Sequence, residues 1–317
     1  MFGFIKMFNN FMTKLKKNKR LWFTSVFIVA CAGIALALMM LITTTDNISK
    51  EVYVSQAKEF VNTYRNSEKL QELKLQEISI VASYNEEVTK FLEENDLENI
   101  TKIEEEINAR LNQKQQNTLN VKFYSTQNTT EKLRNSVVSA IQTKNNIFGI
   151  EVLFDGIFYV YLSPIIKDDT VIGVVQIKES IYFVKNSFER QNKEFVFLLD
   201  KKMLSFLSLQ NRDGIYNEVG KNHLVDNKIN NNKITSHLAS LEANNFQKIT
   251  QEEYMTDDVY FLNGTLIRDI NGVEIGVLVL GESIENEDGF TNMAQKMADQ
   301  IVLITLGLIV SLLLFLL

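Results

Sequence analysis

The chain has 317 residues, 45% hydrophobic and 23% charged, a composition that buries a core and excludes a disordered chain. Residues 46–299 hold all 39 acidic residues and 27 of the 33 basic ones, a net charge of −12 that excludes nucleic acid and anionic lipid as partners of this region. Cys31 is the only cysteine, so no disulfide staples the fold.

Residues 1–20 carry Lys6, Lys14, Lys16, Lys17, Lys19 and Arg20 and no acid, and read as a basic cytoplasmic N-terminus. From Leu21 to Thr45 no residue is charged, and "LWFTSVFIVACAGIALALMMLIT" exceeds the roughly 20 residues that cross a bilayer. A transmembrane helix is predicted over 21–45, with the chain beyond residue 45 outside the cytoplasm by the positive-inside tendency. A cleaved signal peptide has an apolar region of only about 7–15 residues. The lipoprotein-like box "IVAC" at 28–31 is followed by further uncharged, mostly apolar sequence, so a retained anchor is expected.

No Gly or Pro occurs between Gly33 and Gly149, which predicts a long helix from residue 46 onward. Val54, Ala57, Val61 and Tyr64 form one apolar seam of it, and Ile78, Val81, Tyr84 and Val88 a second. Nearly fifty helical residues would reach some 70 Å, a stalk that doubles as core helix and dimer interface. A second helix is predicted over Leu97–Gln113.

The period then changes to two. "TLNVKFYST" (118–126), "IEVLF", "IFYVYLS" and "VIGVVQI" read as antiparallel strands, with a helix over 129–146 after the first. "EFVFLLD" (194–200) adds a strand. "VDNKINNNKITSH" reads as a polar loop.

"PIIKDDTVIGVVQIKESI" (164–181) returns as "TLIRDINGVEIGVLVLGESI" (265–284), and an aromatic strand precedes each, "FYVYL" and "DVYFL". One supersecondary unit is thus used twice. Asn271-Gly272 predicts a type I′ turn in the second copy. After Asp299, "QIVLITLGLIVSLLLFLL" would rise about 27 Å and predicts a second transmembrane helix over 298–317; the chain is expected to be the sensor and membrane portion of a longer design, or a gene cut at that point.

The expected architecture is α+β: two tandem antiparallel-sheet modules with a long N-terminal helix, flanked by two transmembrane helices. The modules are bounded at 46–200 and 201–297. In this order of elements, in the paired "IGVVQIKESI" and "IGVLVLGESI" strands, and in "KLR" between strand and helix at 121–147, the chain resembles the double Cache family of extracellular sensors. The resemblance covers about residues 46–299. It implies two PAS-like modules, a membrane-distal ligand pocket, and a small-molecule sensor serving a methyl-accepting chemotaxis receptor. A histidine kinase or a diguanylate cyclase is the other output, joined to a cytoplasmic signalling partner. The place would be the inner (cytoplasmic) membrane, with the sensor region periplasmic or extracellular. Amino-acid-binding members carry Trp and Tyr soon after the Arg; here the only tryptophan is Trp22, so an amino-acid ligand does not carry over.

The expected pocket lies between the first sheet and the helix carrying Arg134. Arg134 suits a carboxylate through two parallel hydrogen bonds. Tyr159 and Tyr161 share one strand face, Gln176 stands on a neighbouring strand, and Tyr124 is a further candidate. Arg134→Ala is expected to weaken binding without unfolding. His223 and His237, the only histidines, show no metal-ligand spacing, and no nucleophile or phosphate-loop motif occurs, so no catalytic residue, metal or cofactor is expected. A homodimer is expected, and a membrane-anchored protein-binding module is the alternative reading.

Overall fold

The computed structural model describes residues 19–112, 119–128, 132–213, 215–251, 254–285, 296–297, 299–307 and 310, without the side chains of 19–31, most of 34–49, 243 and 250. The chain forms two units, Met1–Tyr53 with Phe290–Leu317, and Val54–Gly289. In the first, the backbone of 19–53 is helical, the start of α1 (Lys19–Ser83), and 299–307 is helical. Among the described residues no helix is long and apolar enough to cross a membrane. The predicted spans 21–45 and 298–317 fall largely on side chains and residues outside the described ones.

The second unit holds two antiparallel sheets. After α1 come α2 (Glu86–Glu93), α3 (Leu97–Asn112), β1 (Leu119–Ser125), α4 (Asn135–Thr143), β2 (Ile147–Leu153), β3 (Gly156–Lys167) and β4 (Thr170–Ser180). The strands of this first module order as β1-β4-β3-β2. Next, α5 (Tyr182–Glu189) leads into β5 (Glu194–Asp200), a 3-10 turn over Lys201–Phe206, α6 (Leu209–Arg212), β6 (Tyr216–Val219) and β7 (His223–Asp226). The chain continues through α7 (Asn232–Ser240), α8 (Ala243–Gln251), β8 (Met255–Thr256), β9 (Tyr260–Arg268) and β10 (Glu274–Ser283). The second sheet orders as β6-β7-β5-β10-β9-β8.

Three expectations change. First, β5, expected to end the first module, pairs with β10 along Phe195–Leu199, every residue of which is buried. A strand apolar on both faces belongs in a sheet centre, and the free place beside β10 lies in the second module. Second, the Asn-rich stretch is a loop only over 227–231. It contains the end of β7 and most of α7, where Asn231 caps the helix by accepting from Lys233 N, and Ile234 and Leu238 face the core one turn apart. Third, the type I′ turn sits in the first copy, where Asp168 and Asp169 have φ of 47° and 62°. In the second copy Asp269 Oδ1 accepts from Asn271 N and Val273 N, while Ile270 N donates to Ile150 O, and only Gly272 reaches positive φ.

The sequence repeat is a structural repeat. In β4, Ile165 pairs with Gly173 and Ile166 with Val171, which leaves Ile172 as an extra residue; in β10, Arg268 pairs with Glu274 and Ile267 with Gly276, which leaves Ile275. Each copy therefore bulges at the isoleucine before its glycine. The glycines are required by close approach: a Cβ on Gly276 would stand 2.2 Å from the Leu198 carbonyl oxygen, and one on Gly173 2.8 Å from that of Tyr124.

The long helix lies against both sheets. Phe60, Tyr64, Gln71, Leu75, Ser79 and Ala82 are its buried stripe, whereas Val81 and Tyr84 of the expected later seam are exposed. The helix stops at Ser83 and Asn85 caps α2 by accepting from Glu87 N, so the small Ser79 and Ala82 meet the sheet in place of Val81. Glu179 of β4 is fully buried and accepts from Gln71 Nε2 and from Lys74 Nζ (2.8 and 2.9 Å). In the second module, Asn263 Nδ2 donates to Ala57 O at 3.2 Å, and Phe261 meets Phe60 edge-on.

The modules join at few points. Ile150 bridges Asp269 in parallel, Ile270 N donates to Ile150 O at 2.9 Å, and Phe154 O accepts from Ser208 N and Asn211 Nδ2. Lys185 of α5 donates to Ile229 O and Asn230 Oδ1 of the second module.

Removing one partner of a buried ion pair leaves the other charge uncompensated, at a cost of about 3 kcal/mol or more. Lys74→Ala is therefore expected to lower Tm by about 6–12 °C, while Lys69→Ala, in an exposed pair, changes it by less than about 2 °C. In the repeat, Gly276→Ala is expected to cost about 3 kcal/mol, against about 1 kcal/mol for Gly272→Ala, where φ is 82° and no atom stands near. Both pairs are read by thermal denaturation of residues 46–299.

Candidate functional site

The face of the first sheet opposite α1 carries Asn120, Lys122 and Tyr124 of β1, Val174, Gln176 and Lys178 of β4, Val160 and Leu162 of β3, and Glu151 of β2, as the pairings Lys122 with Gln176, Gln176 with Leu162, and Glu151 with Phe158 require. Over its apolar part, α4 lays Val137 and Ala140 against Tyr124, Val160, Leu162 and Val174. That packing fixes the start of α4, and with it Arg134.

Arg134 occupies the N-cap position of α4 in the extended conformation usual there (φ −70°, ψ 154°); a guanidinium has no acceptor for the helix N–H groups, so it makes no cap and its side chain turns to the sheet. There its guanidinium donates to Glu151 Oε2, to Gln176 Oε1 and, at 3.5 Å, to the Tyr124 hydroxyl. Tyr124 in turn donates to Gln176 Oε1 at 3.4 Å. Burial alone would lower the Arg134 pKa; the Glu151 carboxylate beside it, with Tyr124, overcomes this and holds it above the ordinary guanidinium value.

Of these groups Arg134, Gln176 and Tyr124 front a cavity of about 270 Å³, walled also by Lys122, Lys132 and Lys178 with Asp155 as the one acid. Lys178 pairs with Asp155 and lies 4.4 Å from the Phe158 ring centre; Lys122 lies 4.7 Å from that of Tyr124. The arrangement can hold an anion by charge and by a planar pair of donors. Size alone does not mark the site. A hollow of about 680 Å³ between 80–93 and 163–167 gathers none of the expected residues, and Lys167 there is paired with Glu93 at 2.6 Å.

Of the five expected residues, the structure brings Arg134, Gln176 and Tyr124 together. Tyr159 and Tyr161 stand on the other face, toward α1. Tyr159 is buried, donates to the Tyr64 hydroxyl at 3.3 Å and stacks on Phe148, and burial raises its pKa. Because Gln176 pairs with Leu162, it shares the face of Leu162 and not of Tyr161. Glu151 was not anticipated. Its signal was present, a lone acid between Ile150 and Val152 in a strand otherwise apolar.

The two histidines are apart in role. His237 Nε2 meets Asp257 Oδ2 at 2.9 Å, whereas His223 lies against Phe246 and burial lowers its pKa. Among the described residues no group of three or more His, Cys, Asp or Glu is placed to hold a metal ion.

No family model matches the chain, and no curated protein does. Solved structures do. The chain is similar to the sensor domain of the Vibrio cholerae histidine kinase DctB (9% identity, 76% of this chain and 98% of that one, TM-score 0.38). It is similar also to the extracellular domain of vpHK1S-Z8, described as a histidine kinase (14%, 77% and 96%, TM-score 0.44). A third is the ligand-binding domain of the Campylobacter jejuni chemoreceptor Tlp3, in complex with L-valine (13%, 74% and 95%, TM-score 0.39). The neighbours are thus sensor, extracellular or ligand-binding domains of histidine kinases and a chemoreceptor.

Proposed function

We propose that the chain is the extracytoplasmic small-ligand sensor of a transmembrane signalling receptor of the double Cache kind, most simply a methyl-accepting chemotaxis receptor. The observation that carries this is the convergence of Arg134, Gln176, Tyr124 and Glu151 on one sheet face beside a cavity walled by four cationic side chains and one acid. A fixed fork of donors amid positive charge suits a carboxylate, and a half-enclosed hollow with a few convergent polar groups is what small-molecule sites present. In this reading the cytoplasmic membrane holds the anchors 21–45 and 298–317, and the sensor lies in the periplasm or outside the cell. Kinase and cyclase outputs fit the same sensor.

A homodimer fits as well. Leu70, Leu73, Ile80 and Tyr84 stand exposed at spacings of three, seven and four, with Val81 beside them, an apolar stripe on α1 and the residue after it that a second copy would cover. Signal passage needs only that a ligand bind one state a few kcal/mol better than the other.

The buried Glu151 changes the expected outcome for Arg134. Arg134→Ala alone strands a buried carboxylate and is expected to cost about 3 kcal/mol in stability. Arg134→Ala with Glu151→Gln removes both charges and is expected to fold within about 1 kcal/mol of the wild type. Thermal-shift titration of residues 46–299 with organic acids should give stabilisation in the wild type and a Kd at least tenfold weaker in the double variant. Equal affinities in the two proteins would remove Arg134 from the site.

A further inference from the structure

We infer that the anion held at Arg134 carries an apolar tail, and that this tail occupies the cavity between the two modules, so that one small molecule touches both. This rests on the reading of the Arg134 face as an anion site. A second cavity, of about 450 Å³, opens on the far side of Arg134, and Lys132, Arg134 and Leu153 line it and the cationic cavity alike. Leu133, Asn135, Glu151 and Val152 complete its first-module wall, and the second module faces them with the apolar Met203, Phe206, Val273 and Ile275 beside Asp269 and Asn271.

The two hollows differ in charge. Arg134 is paired with Glu151 and Lys178 with Asp155; beyond these pairs, Lys122 adds a cation to the wall of the smaller hollow and Asp269 an acid to that of the larger, while Lys132 borders both. An anionic head is drawn to one end, and an uncharged apolar chain loses water at the other. The seam itself is apolar where it meets solvent: Phe154 is 73% exposed, Leu209 62%, Phe206 59% and Val273 45%. Phe154 O accepts from Ser208 N, which sets Phe154 beside the Phe206–Leu209 turn. Large apolar side chains gathered at the rim of a cavity mark a binding groove more often than a solvated surface. The occupant chemistry is therefore an aliphatic or aromatic monocarboxylate, with its carboxylate at Arg134 and its chain between Leu153 and Val273.

The test is calorimetric titration of the full 317-residue chain in lipid nanodiscs with acetate, butanoate, hexanoate and octanoate, with empty nanodiscs as blank. Each methylene moved from water into the seam should tighten Kd by about threefold to fourfold. The variant Phe206→Ser/Val273→Asn, at two exposed positions that tolerate polarity, should flatten that progression, while Val259→Asn, 42% exposed on the β8–β9 turn, should keep it. Short acids that bind with no gain from chain length would overturn the tail site and leave the Arg134 reading standing. A progression as steep in the double variant as in the wild type would overturn it too, by placing the tail elsewhere. Absence of binding by every acid would overturn both readings together.

Discussion

A single carboxylate organises the first module. Glu179 has no exposed surface, and a charge in that position is tolerable only with donors aimed at it. Gln71 and Lys74 supply them from α1, one turn of helix apart in effect, so the requirement fixes the rotation and the height of α1 against β4. Tyr159 and Tyr64 meet on the same side, and the face left free on the far side is the one that α4 and Arg134 cover. The candidate site is thus an indirect product of how α1 is pinned.

The second module also turns an acid inward. Glu282, in the place of Glu179 within the repeated "ES" pair, is also buried, and its strand partner Phe261 sits against Phe60 of the same helix. What the repeat preserves is not hydrophobic alternation alone, since many strands alternate. It preserves a bulged isoleucine, a glycine where a neighbouring backbone comes close, and an acid turned inward. One helix that serves two such hairpins makes the two modules share a common wall, with only short contacts between the sheets themselves.

How much could be read in advance divides along physical lines. The bounds of β5 and β10 and the centres of the β3 and β4 strands were legible, because unbroken apolar strands between turn residues have few alternatives. The partition of faces was legible within a strand and not between strands. Period two set Tyr159 with Tyr161, but only the register of β3 on β4 decides whether Gln176 joins them, and a shift of one residue reverses the answer. The earlier seam of α1 held at Ala57 and Tyr64, but the later one was misread because bulk was taken as the sign of burial. Ser79 and Ala82 are buried since the sheet comes close there, and closeness is not visible in side-chain size. β6, β7, α7 and α8 hid in polar sequence for a related reason, since each buries only a few residues and offers little period to detect.

Arg134 holds Glu151 of its own chain, and this has a consequence for any anion that comes to the site. The incoming group meets a guanidinium with a resident competitor, tethered and at an effective concentration that no dissolved acid matches. In the proposed sensor, an anion would have to displace that carboxylate to take the guanidinium, and its affinity would be lower by the cost of doing so.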